Sequence, residues 1–211
     1  MSITEAIMNF IFPPRCPLCS ASVTRGGGWC RDCVIESLDF HELHLPDVIV
    51  YSLTSYHSFL GDVLRSYKLN LRLNRVRHLE GFNYQALTTD YVKEHIDSDA
   101  LILPVPLHPE KLKQRGFNQV VQIFQRPFQE HGYNWQEIAI RTKKTKPMYE
   151  LKGDDRKVNV EGAFELVGSV KGKSVVIVDD IITTGSTISE LARLVLANGA
   201  AKVTGFTLTF D

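Results

Sequence analysis

The sequence predicts a doubly wound parallel α/β sheet preceded by a small cysteine-bearing module, and three observations lead there. Residues 174–178, Ser-Val-Val-Ile-Val, form a β-branched run with no polar alternation after the first residue, as expected of a strand covered on both faces. Two acids and a polar loop follow at once, and then Ile188, Leu191, Ala192, Val195 and Leu196 fall on one helical face, so the order is strand, tight loop, helix. Residues 101–105 repeat the theme, and all four cysteines stand apart from it in the first 33 residues.

The length, 211 residues, suits one large domain with a small module, which we place at 43–211 and 1–42. Hydrophobic residues make up 44%, enough for a packed core. Lys and Arg together number 24, as do Asp and Glu, so global charge favours no partner and any nucleic-acid footprint must be a local patch. The apolar run at residues 7–14 is too short to span a bilayer and follows no basic segment. The expectation is a cytoplasmic protein with no membrane insertion.

The cysteines occur as Cys16-Pro-Leu-Cys19 and Cys30-Arg-Asp-Cys33. Two such pairs make the tetrahedral thiolate cage that Zn²⁺ prefers, and Gly26, Gly27 and Gly28 supply a reversal between two knuckles. Two disulfides are the competing reading, one that suits secreted chains, and nothing here suggests secretion. Four thiolates fill the metal's shell and leave no position for water, so the expected zinc is structural. Trp29 and Phe12 are expected to pack beside it, because so small a module cannot bury a core of its own. Arg15, Arg25 and Arg31 are its only nearby cations, too few to argue for a nucleic-acid finger.

Residues 36–46 are polar and read as a linker in which His41 and His44 are solvated. Residues 48–56 read as the first strand, and Leu60, Val63, Leu64 and Tyr67 then share a helical face. Arg65, Lys68, Arg72, Arg75, Arg77 and His78 form a basic stretch with two readings, a solvated helix face or a patch for pyrophosphate or nucleic-acid backbone. Phe82, Tyr84 and Tyr91 read as core rather than base-stacking residues.

The strand at 101–105 exits through Pro104-Val105-Pro106-Leu107-His108-Pro109, and Lys111, Lys113 and Arg115 place cations near the start of the next helix. That helix shows in Val120, Val121, Phe124 and Phe128, with Pro127 expected to kink or end it. Were this strand the neighbour of the one at 174–178, both loops would face one crevice and these cations could meet a second phosphate. Residues 141–159 are rich in Lys and Arg and lack an apolar period, so they read as a mobile loop. The last strand, 202–209, needs only an edge or penultimate place, and Asn198-Gly199 before it suits a helix C-cap.

The loop after residue 178 carries the chemistry. Thr183, Thr184, Ser186 and Thr187 offer hydroxyl donors, Gly185 lets the backbone close on an anion, and the following helix presents free N–H groups to a phosphate. Asp179 and Asp180 repel phosphate, but suit neutral diol hydroxyls or a hydrated Mg²⁺. Phosphate beside diol describes a ribose 5-phosphate.

This stretch closely resembles the PRPP loop of type I phosphoribosyltransferases, an apolar strand, two acids, two apolar residues and Thr-Thr-Gly-x-Thr. The segment 104–109, together with Arg115-Gly116-Phe117-Asn118-Gln119, resembles the signature of the ComF family of competence proteins, which joins a zinc module to such a domain in this order. The resemblance implies that Asp179 and Asp180 hold the ribose hydroxyls, with roles in catalysis. It also implies that Thr183, Thr184, Gly185, Ser186 and Thr187 hold the 5-phosphate, with Mg²⁺ accompanying PRPP. Lys111, Lys113, Arg115, Arg156 and Asn159 become candidates for pyrophosphate and flexible-loop contacts. Gly162, Ala163 and Phe164 fit the family's pattern, whereas Met148 and Tyr149 stand where it commonly has a glutamine. The implied role is in DNA uptake during natural transformation, among other competence proteins. Whether as a pentosyl-transferring enzyme or as a non-catalytic adaptor that holds single-stranded DNA is left open, since no nucleobase-recognising hood is legible.

Overall fold

The computed structural model describes residues 15–23, 28–70, 73–143 and 161–211. Of the positions named above, Phe12, Arg25, Gly26, Gly27, Arg72, Met148, Tyr149, Arg156 and Asn159 lie outside the described residues, with the side chains of Lys68 and Arg75.

The chain begins with α1 (Arg31–Ser37), β1 (His41–His44) and β2 (Ile49–Ser55). Helices α2 (Phe59–Asn70), α3 (Leu73–Ala86) and α4 (Asp90–His95) precede β3 (Leu101–Pro104), α5 (Pro109–Arg115) and α6 (Gln119–Glu130). Short strands β4 (Asn134–Trp135), β5 (Ala139–Arg141) and β6 (Phe164–Leu166) lead to β7 (Ser174–Ile182), α7 (Ser186–Ala197) and β8 (Lys202–Phe210). Six strands form one sheet in the order β1-β2-β8-β7-β3-β4, parallel throughout except for β1. Strands β5 and β6 make a separate antiparallel pair.

The unbroken apolar runs are explained by two cores. Val176, Val178, Phe206 and Leu208 pack with the helical residues Leu64, Tyr67, Phe82 and Phe124, while Val175, Ile177 and Val203 pack with Ile188, Leu191 and Val195 of α7. A strand whose alternate residues enter different cores has no solvent face to mark with polar residues.

Several expectations need correcting. The stretch read as a linker forms the C-terminal part of α1 and then β1, which pairs with β2 at the sheet edge; only an edge strand tolerates so many exposed polar side chains. Strand β8 is neither edge nor penultimate but interior, between β2 and β7, and its residues 203–209 are all buried. The alternating threonines of β8 are satisfied internally, as in the Ser52–Thr207 hydroxyl bond of 2.6 Å. Pro127 does not end α6, which runs on to Glu130. The carbonyl of Ile123, four residues before it, loses the usual N–H partner, and the buried Asn83 amide donates to it instead at 3.4 Å.

The cysteine module shares the first core rather than owning one. Trp29 is buried with its ring 5.2 Å from Phe82 and 5.9 Å from Phe59, and its Nε1 donates to the His78 carbonyl at 2.8 Å.

Candidate functional site

Strand β7 continues four residues beyond the predicted end, pairing Asp179 with Thr207 and Ile181 with Thr209 of β8. The acids are therefore strand residues, and the strand's period of two sends their side chains to opposite faces. Asp180 is 2% exposed, and a carboxylate so buried requires hydrogen-bond partners. Gln119, the first residue of α6, donates its amide N–H to Asp180, while its amide oxygen accepts from the Arg115 guanidinium. Burial, aided by the negative charge of Asp180, pushes Tyr67 up to about 12, so its hydroxyl stays protonated and donates to Gln122 at 3.0 Å. Asp179 is half-buried, and its Oδ1 accepts the backbone N–H of Asp180 at 2.8 Å. Near it lies Arg141 of β5, whose pKa burial lowers while the carboxylate of Asp179 opposes the shift.

Beyond Ile182 the loop turns sharply into α7. Gly185 is the N-cap residue at φ 72°, where glycine is needed twice over: the left-handed region disfavours a Cβ, and one placed there would approach Leu45 Cδ1 to 2.6 Å. Thr183 and Thr184 are exposed, and the Thr184 and Ser186 hydroxyls lie 2.9 Å apart. Ser189 N–H donates to Gly185 O at 2.8 Å to open the helix, so the N–H groups of the first turn point toward the loop.

The neighbouring loop belongs to β3, which pairs in parallel with β7 as the shared-crevice expectation required. Val105 N–H donates to Val178 O at 3.0 Å, and Asn118 fixes the exit by donating to Val105 O while accepting from Val120 N–H, each at 3.0 Å. The cations differ from expectation: Lys111, Lys113 and Arg115 do not open the long helix but sit on the separate short helix α5, ended by Gly116 at φ 79°. Pro109 at the start of α5 and that left-handed glycine make it a helix of its own. Arg115 reaches the acid pair through Gln119, while Lys113 is exposed and Lys111 half-buried.

Two contributors went unassigned in the sequence. Gln119 was visible within the Arg-Gly-Phe-Asn-Gln segment, but its partner lies 61 residues away. Arg141 looked like the first cation of a basic loop, though the apolar residues Ile138, Ala139 and Ile140 before it were a signal for the short strand.

The cysteine cluster lies apart. The four sulfurs are within 4.8 Å of one another, as four ligands on one ion must be, and all four thiols are free. Burial opposes charge on Cys16, yet the backbone N–H groups of Cys19, Cys30 and Leu18 bring its pKa down to about 6. Burial and the neighbouring sulfurs push Cys33 up. Sulfurs this close resist ionising together without a cation among them, so the donor set fits zinc.

Residues 133–210 match the phosphoribosyl transferase domain model, and residues 7–43 match the double zinc ribbon domain. The DNA utilization protein YhgH of Escherichia coli K12 is 31% identical over 195 residues, 89% of this chain and 80% of that protein. Competence protein F of Haemophilus influenzae is 26% identical, covering 90% and 82%, and competence protein ComFC of Bacillus subtilis is 27% identical, covering 92% and 76%. With a phosphoribosyltransferase-type α/β domain behind a zinc-ribbon module, and with these relatives along most of its length, the chain belongs to the competence protein F family.

Proposed function

We propose that the protein binds PRPP or another ribose 5-phosphate with Mg²⁺ and works in DNA uptake. The observation that carries the reading is the acid pair of β7 running directly into a hydroxyl-rich loop that opens α7. Thr183, Thr184, Ser186 and Thr187 would hold the 5-phosphate, with the first N–H groups of α7 behind them. Asp179, half-buried and on the outer side of the pair, would take the ribose hydroxyls; Asp180, tied to Gln119, would hold this strand end in register with the β3 exit. Mg²⁺ would neutralise phosphate charge beside Asp179, and Lys111, Lys113, Arg156 and Asn159 would receive the pyrophosphate side. If transfer occurs, a nitrogen nucleophile bonds to the anomeric carbon while the carbon–oxygen bond to pyrophosphate breaks, and the carboxylates favour positive charge developing on the ribose.

The second reading is a non-catalytic adaptor that holds single-stranded DNA or another competence protein through the same cations. It is favoured by the relatives' names, which speak of DNA utilization and competence rather than of a transferase. In both readings the zinc is structural, residues 1–42 form the ribbon with 43–211 as the larger domain, and the protein works in the cytoplasm. Among the described residues no helix is long and apolar enough to cross a membrane.

Calorimetry with PRPP and Mg²⁺, alone and in competition with a single-stranded oligonucleotide, tests the reading. Saturable PRPP binding that Asp179→Asn abolishes is expected; PRPP affinity unchanged in that variant would remove the site assignment. Pyrophosphate release on adding candidate bases would separate the enzyme from the adaptor.

A further inference from the structure

Residues 41–47 read His-Glu-Leu-His-Leu-Pro-Asp, in which Leu43 and Leu45 stand two apart among polar neighbours. Extended chain sends such a pair to one face, and both leucines are half-buried against the second core, with Leu43 opposite the buried Val50 of β2. That face meets the loop before α7. A Cβ built on Gly185 would lie 2.6 and 3.2 Å from the two methyls of Leu45 and 3.4 Å from Leu43 Cδ2, so the leucines form a floor beneath the turn. As a glycine, this N-cap residue has no side chain to accept a helix N–H. The turn is held instead by its packing on the leucines and by the Ser189 N–H bond to Gly185 O.

The opposite face of β1 is anchored. Glu42 lies 3.5 Å from His44 and 3.8 Å from His95 of α4, and just before the strand the Phe40 ring stacks on Tyr91 of α4 with centroids 3.6 Å apart. Asp39 N–H donates to Leu53 O at 2.9 Å on one side of the strand, and Leu45 N–H to Val48 O at 3.0 Å on the other. A four-residue edge strand with a single ladder partner gains its fixed place from such ties. The leucine floor is therefore pinned to β2 and α4, while the turn above it belongs to a loop with exposed Thr183 and Thr184.

We propose that β1 is a strap that positions the phosphate loop, with Leu43 and Leu45 as positioning residues that hold Gly185 in its left-handed turn. With the turn fixed, the Thr184 and Ser186 hydroxyls stay beside the first N–H groups of α7, and an anion meets them without first ordering the loop. Residues of the polar stretch that precedes β2 thus complete a site whose own motif lies far along the chain. For its ligand the inference rests on the ribose-phosphate reading; the positioning of the turn can be measured without a ligand.

Amide hydrogen exchange and calorimetry with ribose 5-phosphate, both on the full chain, test the strap. Leu45→Ala should speed exchange of the Ser189 N–H relative to the amides of β8, and weaken ribose 5-phosphate by about 10-fold. Leu45→Met, which keeps an apolar chain of similar volume, should restore both. Val170→Ala truncates the same core near the start of β7; it should lower the urea midpoint while leaving Ser189 exchange and ligand affinity as in the wild type. Leu43→Ala serves if Leu45→Ala does not fold. Wild-type exchange at Ser189 in a folded leucine variant overturns the proposal, as does an equal effect from Val170→Ala. A wild type that binds no ribose 5-phosphate would remove the ribose-phosphate reading, and the exchange comparison would still decide the strap.

Discussion

The cysteine module and the crevice at the end of β7 are both announced by short motifs, yet they are built in different ways. The four sulfurs come from residues 16–33 and converge through local turns, so their spacing in sequence is nearly their geometry in space. The crevice takes Arg115 and Gln119 from the β3 side, Arg141 from β5, and its acids and hydroxyls from β7 and the loop beyond. Residue spacing can reveal a metal cage; it shows only the central segment of a crevice assembled from four.

The difference shows in what damages each. The largest expected effect is on the module: Cys30→Ser or a strong chelator should remove bound zinc and unfold residues 15–37, since metal binding supplies the folding free energy of so small a unit. Trp29 would then leave Phe82, and the whole chain should melt earlier. Elemental analysis with thermal melting checks this, and full stability in a zinc-free protein would break the comparison.

Next comes the crevice. Gln119→Leu should cost about 1–3 kcal/mol, because it strips a partner from the buried carboxylate of Asp180. Asp179→Asn should cost less stability than Gln119→Leu, because Asp179 is half-buried and an amide oxygen can still accept the Asp180 N–H, while abolishing ribose-phosphate binding. Urea denaturation of both variants compares the two acids directly; equal destabilisation would mean that they do not divide structure and binding between them. Gly185→Ala should cost about 1–2 kcal/mol through the left-handed backbone alone, with the Leu45 contact adding to it.

The smallest effect lies at the other end of β7. The Ser174 hydroxyl donates to Asp97 at 2.6 Å and Lys202 lies 3.0 Å away, holding this carboxyl below its ordinary 3.8. A lowered folded pKa gives stability that is fully present above the unfolded value and lost as the pH falls through the folded one. Asp97→Asn should therefore reduce the urea midpoint slightly at neutral pH and not at all in strong acid, with salt shrinking the difference at this partly exposed pair.

The elements that were legible had one dominant signal. The apolar run of β7, the period of α7 and the four cysteines each left few alternatives. Misread elements had their polar groups satisfied at a distance. The interior place of β8 was not legible because Ser52, partner to Thr207, is 155 positions away. Pro127 looked like a kink or a helix end because nothing local shows that Asn83 will cover the carbonyl of Ile123.

The sequence by itself determined the strand, loop and helix around Asp179, Asp180 and residues 183–187, and the ligand set of the cysteine cluster. These depend on covalent neighbours, whose spacing the backbone sets within a few ångströms. Only the tertiary structure decided that the acids face opposite ways and that Gln119 and Arg115 serve Asp180. Those contacts join residues far apart in the chain, and the packing of the sheet against its helices, rather than any local preference, brings them together.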